Sequence, residues 1–367
     1  MWHLEPTRVA AVQAAPVFLD PAATTEKACR LIASAAELGA RVIALPEVFI
    51  PGYPYWSWMM SPLEGSKWFR ALYKASILVP GPETSMLARA ARSAGAFVVI
   101  GVNERSPNSL GTIYNTNLIF GPDGSLLGRH RKLVPTFAEK LTWASGDGSS
   151  LRTYETPYGA IGTLACGENT NTLARFTLLS QGERIHIANY IAFPFTENYD
   201  MPEAIRIRAG AHAFEGKIFT LVSCSAMSDQ IVEMLCTTDE QRRLMSGRPN
   251  AFSGIFGPDG RLVTEPLIDE EGIVVAEIDP ERCIEPKQYQ DITGAYNRFD
   301  IFDLRVNRRT LASARFADAG LPADAGQLAG GEASGASSTH GGFEGFPAGH
   351  QVDRSGLPPA LGTDGRA

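Results

Sequence analysis

A chain of 367 residues with 44% hydrophobic and 20% charged side chains has the composition of a globular protein, which excludes general disorder, a collagen repeat and a long coiled coil. Its net charge of −7 disfavours a nucleic-acid binder, which needs a basic stripe. No run reaches the ~18 apolar residues of a membrane-spanning helix, so no membrane partner is expected.

The body alternates strand-like and helix-like segments. Residues 9–15 form a short apolar run that reads as a buried strand. Residues 24–38 read as a helix, with Ala28, Leu31, Ile32 and Ala35 on one face, Thr24 or Thr25 as cap and Gly39 as terminator. A strand follows at 41–45 and stops at Pro46. Leu87, Ala90, Ala91 and Ala94 form a second helical stripe, closed by Gly95 and followed by a strand at 96–100. Residues 113–120 and 125–132 flank Gly121-Pro122-Asp123-Gly124, a hairpin signal: Pro122 presets φ and Gly124 permits a positive one.

The second half repeats this order. Strands are expected at 161–165, 185–190 and 218–223, and helices at 173–181 and 203–214. The hexapeptide Ile-Phe-Gly-Pro-Asp-Gly occurs at 119–124 and again at 255–260. Two identical turns after matching helix–strand units read as an internal duplication, which predicts two mixed sheets face to face with helices outside. After about Arg315 the chain turns rich in Gly, Ala, Ser and Pro. Residues 316–367 are expected to be a flexible tail and 1–315 the folded domain.

Cys29, Cys166, Cys224, Cys236 and Cys283 are widely spread with no CxxC pair, and the six histidines show no HxxxH or HExxH pattern. A disulfide scaffold and a metal site are therefore not expected. The N-terminal segment carries Glu5 and no apolar core of signal-peptide length, which predicts a cytoplasmic protein.

Three segments carry residues suited to chemistry. Glu47 follows the strand at 41–45, where loops after strands hold catalytic groups; alone it also reads as a solvated or capping residue. Lys132 ends Arg129-His130-Arg131-Lys132 and precedes the apolar Leu133-Val134-Pro135, which could carry its stem into the interior. A buried ammonium needs a carboxylate, and Glu47 and Glu139 are available. Cys166 ends an apolar strand before Gly167-Glu168-Asn169. A turn at Gly167 would set the thiol on an elbow near a helix start and an ammonium, lowering its pKa. An inert core cysteine is the alternative, and it suits Cys29 and Cys224 better.

Together, Pro46-Glu47-Val48-Phe49, the segment His130 to Thr136, and Leu164-Ala165-Cys166-Gly167-Glu168 resemble the Glu–Lys–Cys motifs of the nitrilase superfamily of carbon–nitrogen hydrolases. Gly52-Tyr53-Pro54, Phe137-Ala138-Glu139-Lys140 and Gly146-Asp147-Gly148-Ser149 are similar to its nitrilase branch. The resemblance spans about residues 7–307. It implies an α/β fold, a four-layer α-β-β-α sandwich, with Cys166 as nucleophile, Glu47 as general base, Lys132 as stabiliser of negative charge and Glu139 as an additional active-site glutamate. It implies hydrolysis of an organic nitrile by water to a carboxylic acid and ammonia without a cofactor. A cyanide-degrading hydratase or dihydratase, or an aliphatic amidase, is the alternative. Self-association into dimers or larger spirals is implied as well. A catalytically silent assembly protein would have lost one of the three residues, and all three are present.

Tyr53, Trp56 and Trp143 read either as walls of a substrate pocket or as packing and subunit contacts. Asn169 reads as a pocket residue or as a helix cap. Many nitrilases carry Trp where this chain has Gly167. The missing bulk beside the thiol predicts room for a larger nitrile.

Overall fold

The computed structural model describes residues 4–195, 197, 199–312 and 314. The expected tail at 316–367 lies outside the described residues. In chain order the strands are β1 (Thr7–Gln13), β2 (Val42–Ala44), β3 (Phe97–Arg105), β4 (Ile113–Phe120), β5 (Leu126–Arg131), β6 (Ala160–Ala165), β7 (Glu183–Tyr190), β8 (Phe219–Cys224), β9 (Phe252–Phe256), β10 (Leu267–Ile268) and β11 (Gly272–Ile278). The helices are α1 (Pro21–Glu37), α2 (Trp56–Met59), α3 (Pro62–Ala75), α4 (Pro82–Ala94), α5 (Thr172–Leu179), α6 (Met201–Gly216), α7 (Asp229–Leu235), α8 (Asp239–Met245) and α9 (Ile284–Gln290).

Two sheets form, ordered β11-β1-β2-β3-β4-β5 and β10-β9-β8-β7-β6. In the first, β1, β2 and β3 run parallel, then β4 and β5 antiparallel. In the second, β6, β7 and β8 run parallel, then β9 and β10 antiparallel. The two halves therefore share one topology, as the repeated hexapeptide predicts. Both hexapeptides make the same turn. Gly124 N–H donates to Gly121 O and Gly260 N–H to Gly257 O, each at 2.9 Å. Both final glycines have positive φ, +81° and +77°. Each sits against a helix: a Cβ on Gly124 would lie 2.6 Å from Ala88 O of α4, and one on Gly260 3.0 Å from Gly210 O of α6. Only glycine fits both the backbone conformation and the helix contact.

Side-chain alternation along the buried strands builds the layers. Val9, Ala11, Val42, Ala44 and Val99 of the first sheet meet Ile161, Ile185, Ile187, Phe219 and Leu221 of the second. The opposite face of the first sheet, with Ala10, Val12, Ile43, Val98 and Ile100, is covered by Ala28, Ile32 and Ala35 of α1 and by Leu87 and Ala91 of α4. On the second sheet Ala188, Tyr190 and Val222 are covered by Ile205, Ala209 and Ala213 of α6. This is the four-layer α-β-β-α sandwich.

Three local features differ from expectation. The cap of α1 is Asp20, whose carboxylate accepts from Ala23 N–H at 2.9 Å. Thr24 and Thr25 are buried in the first turns, and their hydroxyls donate back to Asp20 O and Pro21 O. β11, from the end of the second half, crosses to the first sheet and pairs antiparallel with β1 from Thr7↔Ile278 to Gln13↔Gly272. The elbow at the end of β6 is Cys166 itself, at φ +48°, and not Gly167. No helix among the described residues is long and apolar enough to cross a membrane.

Candidate active site

The three strand-end residues meet at one edge of the sandwich. Glu47 leaves β2 through Leu45-Pro46 and lies directly over β3. A Cβ on Gly101 would lie 2.2 Å from Val48 N and 2.6 Å from Glu47 Cα, so β3 passes under this turn only because Gly101 has no side chain. Lys132 follows β5, its N–H donating to Asn115 O at 2.8 Å. Cys166 opens the 3₁₀ turn Cys166–Thr170. Its positive φ is a strained conformation for a residue with a Cβ, of the kind concentrated at functional sites.

Lys132 is buried and bridges two buried carboxylates. Its Nζ donates to Glu47 Oε1 at 3.0 Å and to Glu139 Oε2 at 2.8 Å. Glu47 Oε1 also accepts from Asn115 Nδ2 at 2.7 Å, whereas Glu47 Oε2 is buried with no partner. Glu139 rides on the 3₁₀ turn Phe137–Leu141. Its Oε2 accepts from Thr136 N–H at 2.6 Å, and its Oε1 from the Tyr53 hydroxyl at 2.9 Å. Trp58 Nε1 in turn donates to Tyr53 Oη at 2.8 Å.

Electrostatics follow from this packing. Burial pushes the Glu47 carboxyl up to about 7, against the pull of the Lys132 charge and with help from Glu139. Burial works against the Lys132 ammonium, but Glu139 and Glu47 outweigh it and hold its pKa well above the usual range. Burial and the nearby Glu47 push the Cys166 thiol well above its ordinary value, and Lys132 only partly opposes them. The expected low-pKa thiolate is thus corrected: desolvation and two carboxylates dominate over the Lys132 ammonium and the Arg208 guanidinium, and the resting group is the thiol.

A second buried pair ties the Lys132 and Cys166 segments together. Glu168 Oε2 faces His130 Nε2 at 2.8 Å and accepts from Ala165 N–H at 3.0 Å; its Oε1 accepts from Leu133 N–H at 2.8 Å. One carboxylate therefore holds the residue before Cys166 and the residue after Lys132. Burial opposes both charges, but each partner stabilises the other. His130 is raised and Glu168 lowered.

A cavity of about 670 Å³ opens on this centre. Cys166, Gly167, Glu139, Tyr53, Thr136 and Trp58 line it, together with Ile191, Phe193, Phe195, Tyr199, Met201, Arg208 and Leu244. Tyr53 and Gly167 thus lie where the sequence reading puts them. Three other expected pocket residues do not. Trp56 packs on Trp68, centroids 6.2 Å apart, and lines a separate surface pocket. Trp143 is buried behind Tyr53 and donates Nε1–H to Asn103 Oδ1 at 2.8 Å. Asn169 points under the elbow, donating Nδ2–H to Leu164 O at 3.1 Å and to Cys166 O at 3.0 Å. Reading by sequence missed Asn115, Thr136, Arg208 and the Phe193–Phe195 wall. Phe193-Pro194-Phe195 follows β7 after two intervening residues, and aromatics in a loop after a parallel strand are the available signal.

Among the described residues, Glu183, His186 and His212 bring three metal-type ligand atoms within 4.8 Å. Hydrogen bonding occupies Glu183 and both nitrogens of His186, whereas His212 meets Glu183 through Nε2 and its Nδ1 is buried without a partner. The two carbonyls fix the Asn169 amide, so its Oδ1 faces His186 Nε2 at 2.7 Å, while Glu183 Oε1 faces His186 Nδ1 at 2.7 Å. Both ring nitrogens of His186 are thus engaged in short hydrogen bonds. Burial and the His186 charge depress His212 to about 4, and Glu183 is held at about 2, the histidines outweighing its burial.

Comparison with known proteins agrees with this geometry. Residues 8–288 match the family described as carbon-nitrogen hydrolase. An aliphatic nitrilase of Rhodococcus rhodochrous is 38% identical over 308 residues, covering 82% of this chain and 83% of that one. A nitrilase of Pseudomonas syringae pv. syringae is 37% identical over 307 residues, covering 83% and 90%. An arylacetonitrilase of Hypocrea virens is 36% identical over 308 residues, covering 82% and 92%. The fold is shared with the Saccharomyces cerevisiae protein Nit3, a member of branch 10 of the nitrilase superfamily, at TM-score 0.61 and 23% identity over 78% of this chain and 94% of that one. The chain belongs to the carbon–nitrogen hydrolase family and, within it, to the nitrilase branch. It is a hydrolase acting on carbon–nitrogen bonds.

Proposed function

We propose that the protein is a nitrilase that hydrolyses an organic nitrile to the carboxylic acid and ammonia, with Cys166, Glu47, Lys132 and Glu139 as its catalytic residues. The observation that carries this reading is the unpartnered, buried Oε2 of Glu47, on a carboxyl raised to about 7 beside a protonated thiol. A carboxylate with a free oxygen and that pKa is matched to taking a proton near neutrality.

Cys166 Sγ attacks the nitrile carbon as Glu47 takes the thiol proton. The product is a thioimidate. Negative charge develops on the substrate nitrogen, and Lys132, charged throughout, stabilises it. Glu139 fixes Lys132 and is itself fixed by Tyr53 and Thr136. Glu47 passes the thiol proton to the substrate nitrogen and, ionised again, takes a proton from a water that adds to the thioimidate carbon, then gives it to the departing nitrogen. Departure of ammonia from the tetrahedral intermediate leaves a thioester. A second water releases the acid and restores the thiol. Expulsion of the thiolate in place of ammonia releases an amide.

The cavity volume favours an organic nitrile over cyanide, since about 670 Å³ with an aromatic wall is the size and lining of a site for a small organic molecule. The test is ammonia release with product identification for an aliphatic nitrile, an aromatic nitrile, an arylacetonitrile, cyanide and the matching amides. Acid and ammonia from organic nitriles, with amides inert, are expected; turnover of amides alone or cyanide alone contradicts the reading.

The same proposal makes residues 1–315 the catalytic domain and the protein a cytoplasmic homo-oligomer. Exposed Phe137, Leu141, Tyr289, Phe299 and Phe302 support self-association, and five free cysteines support a reducing compartment. Light scattering that returns the mass of a single chain contradicts the oligomer.

A further inference from the structure

The charged side chains lining the cavity are Glu139, Glu197, Arg208 and Arg243. Glu139 is neutralised by Lys132. Glu197 pairs with Arg243, which also holds Glu240 at 2.8 Å. Arg208, on α6, has no carboxylate partner among the described residues. Its Nη2 donates to the Tyr199 hydroxyl, and its Nη1 is buried with no acceptor. The buried hydroxyl of neighbouring Tyr190 lies beside this guanidinium, whose charge and hydrogen-bonding pull oppose the effect of burial on the phenol, but the two make no hydrogen bond of ordinary length. A half-buried guanidinium with an unsatisfied donor costs stability unless an anion or acceptor completes it, because its hydration is lost without compensation.

The surroundings define what else that ligand carries. Trp58 meets Phe193 edge to face at 4.9 Å and stacks with Phe195 at 5.9 Å, and the two phenylalanines meet at 5.2 Å. The cavity is thus an aromatic box with a thiol at one place and a single unneutralised cation at another.

Building on the nitrilase reading, we propose that Arg208 is a specificity-determining residue that pairs with a carboxylate on the substrate, and that the preferred substrates are aromatic or arylaliphatic nitriles bearing a carboxylate remote from the nitrile carbon. The rings hold the aryl body, and the guanidinium, backed by Tyr199, takes the carboxylate. Arg suits this role because its planar fork matches a carboxylate. The product acid offers the same chemistry through the carboxylate formed at Cys166, so the test separates the two sources.

The experiment compares phenylacetonitrile with 4-(cyanomethyl)benzoate as substrates of the full chain, with phenylacetate as an inhibitor. The wild type is expected to favour the carboxylate-bearing nitrile in kcat/KM. Arg208→Gln should lower that preference ratio by about tenfold or more, the size of a charge-assisted hydrogen bond, and Arg208→Lys should retain part of it. The ratio comes from one preparation, so a fall in active fraction cancels. An unchanged ratio in both variants overturns the proposal. So does a change confined to phenylacetate inhibition, which assigns Arg208 to the product carboxylate. Binding of the same two nitriles to Cys166→Ala, measured by calorimetry, reads the ratio without turnover. A retained binding preference with no nitrile turnover in the wild type then faults the nitrilase reading and not the role of Arg208.

Discussion

Lys132 Nζ donates to one oxygen of Glu47 at 3.0 Å, and the other oxygen of that carboxylate, Oε2, is buried with no partner. The ammonium fixes the orientation of the carboxylate and leaves its other oxygen free, as the proposed role of Glu47 as base requires. Burial pushes the Glu47 carboxyl up to about 7, and on the proposed role of Glu47 as base this would set the working pH.

The first prediction concerns pH. Glu47 acts as a base only when ionised, and its pKa is about 7. kcat/KM for a nitrile should therefore rise with pH through about 7 and fall about tenfold per unit below it. Glu47→Gln should reduce turnover by at least ~100-fold, the scale of general-base catalysis, and abolish that limb. A pH–rate profile with its acid limb near 4.5 would contradict the assignment.

Lys132 is the cation shared by two buried carboxylates, so its loss should harm stability as well as chemistry. Lys132→Met should abolish turnover and cost about 3–5 kcal/mol, because it leaves Glu47 and Glu139 facing each other without a cation. Adding Glu139→Gln should recover much of the stability but none of the activity. Urea unfolding of the single and double variants checks this, and recovery of activity in the double variant would remove Lys132 from the chemistry.

Gly167 lines the cavity, and a Cβ there would already lie 3.0 Å from Thr136 Oγ1. Gly167→Trp should fill space beside Cys166 and displace Thr136. The kcat/KM for an arylacetonitrile should fall by ~10-fold or more relative to a short aliphatic nitrile, as misfit at a reacting centre predicts. An unchanged size profile would contradict this account of the missing side chain.

The His130–Glu168 pair acts on the backbone of the site. His130, raised from 6.5, contributes stability that is full below 6.5 and lost as pH rises through its folded pKa. Glu168, lowered from 4.5, contributes stability that is full above 4.5 and lost as pH falls through its folded pKa. The pair is therefore worth most between about 4.5 and 6.5. His130→Ala should cost more stability at pH 5.5 than at pH 9, and it should lower kcat because Glu168 then holds Ala165 and Leu133 less firmly. Denaturation curves at the two pH values check the sign.

Much of the fold is legible in the sequence because β1 to β4 and β6 to β8 are buried strands, which read as apolar runs between turn residues. β11 is not, since Ile273 and Val275 are half-buried and Glu277 is exposed, and the run follows Asp269-Glu270-Glu271 with no helix–strand unit before it. Its place in the first sheet comes from tertiary pairing with β1 alone. The cap of α1 escaped because Asp20-Pro21 stands ahead of the apolar stripe on which the helix was recognised. At the site, Glu47, Lys132 and Cys166 are legible because each stands at or within three residues of the end of a strand. Asn169, Trp56 and Trp143 show what spacing does not encode. All three lie near site residues in the chain, but the 3₁₀ turn aims Asn169 back under β6, and Trp56 and Trp143 pack behind the cavity wall. The thiol pKa was misjudged for a related reason: the sequence displays the nearby lysine but not the burial of two carboxylates beside it.

The central claim is a covalent acyl-enzyme on Cys166. Acid-quenched turnover with a nitrile, followed by intact-protein mass measurement and peptide mapping, tests it most directly. The account predicts an added acyl mass on the peptide containing Cys166, absent in Cys166→Ala, which should not turn over. Nitrile hydrolysis that continues in Cys166→Ala, or an acyl adduct mapped to Cys29, Cys224 or Cys236, would contradict it.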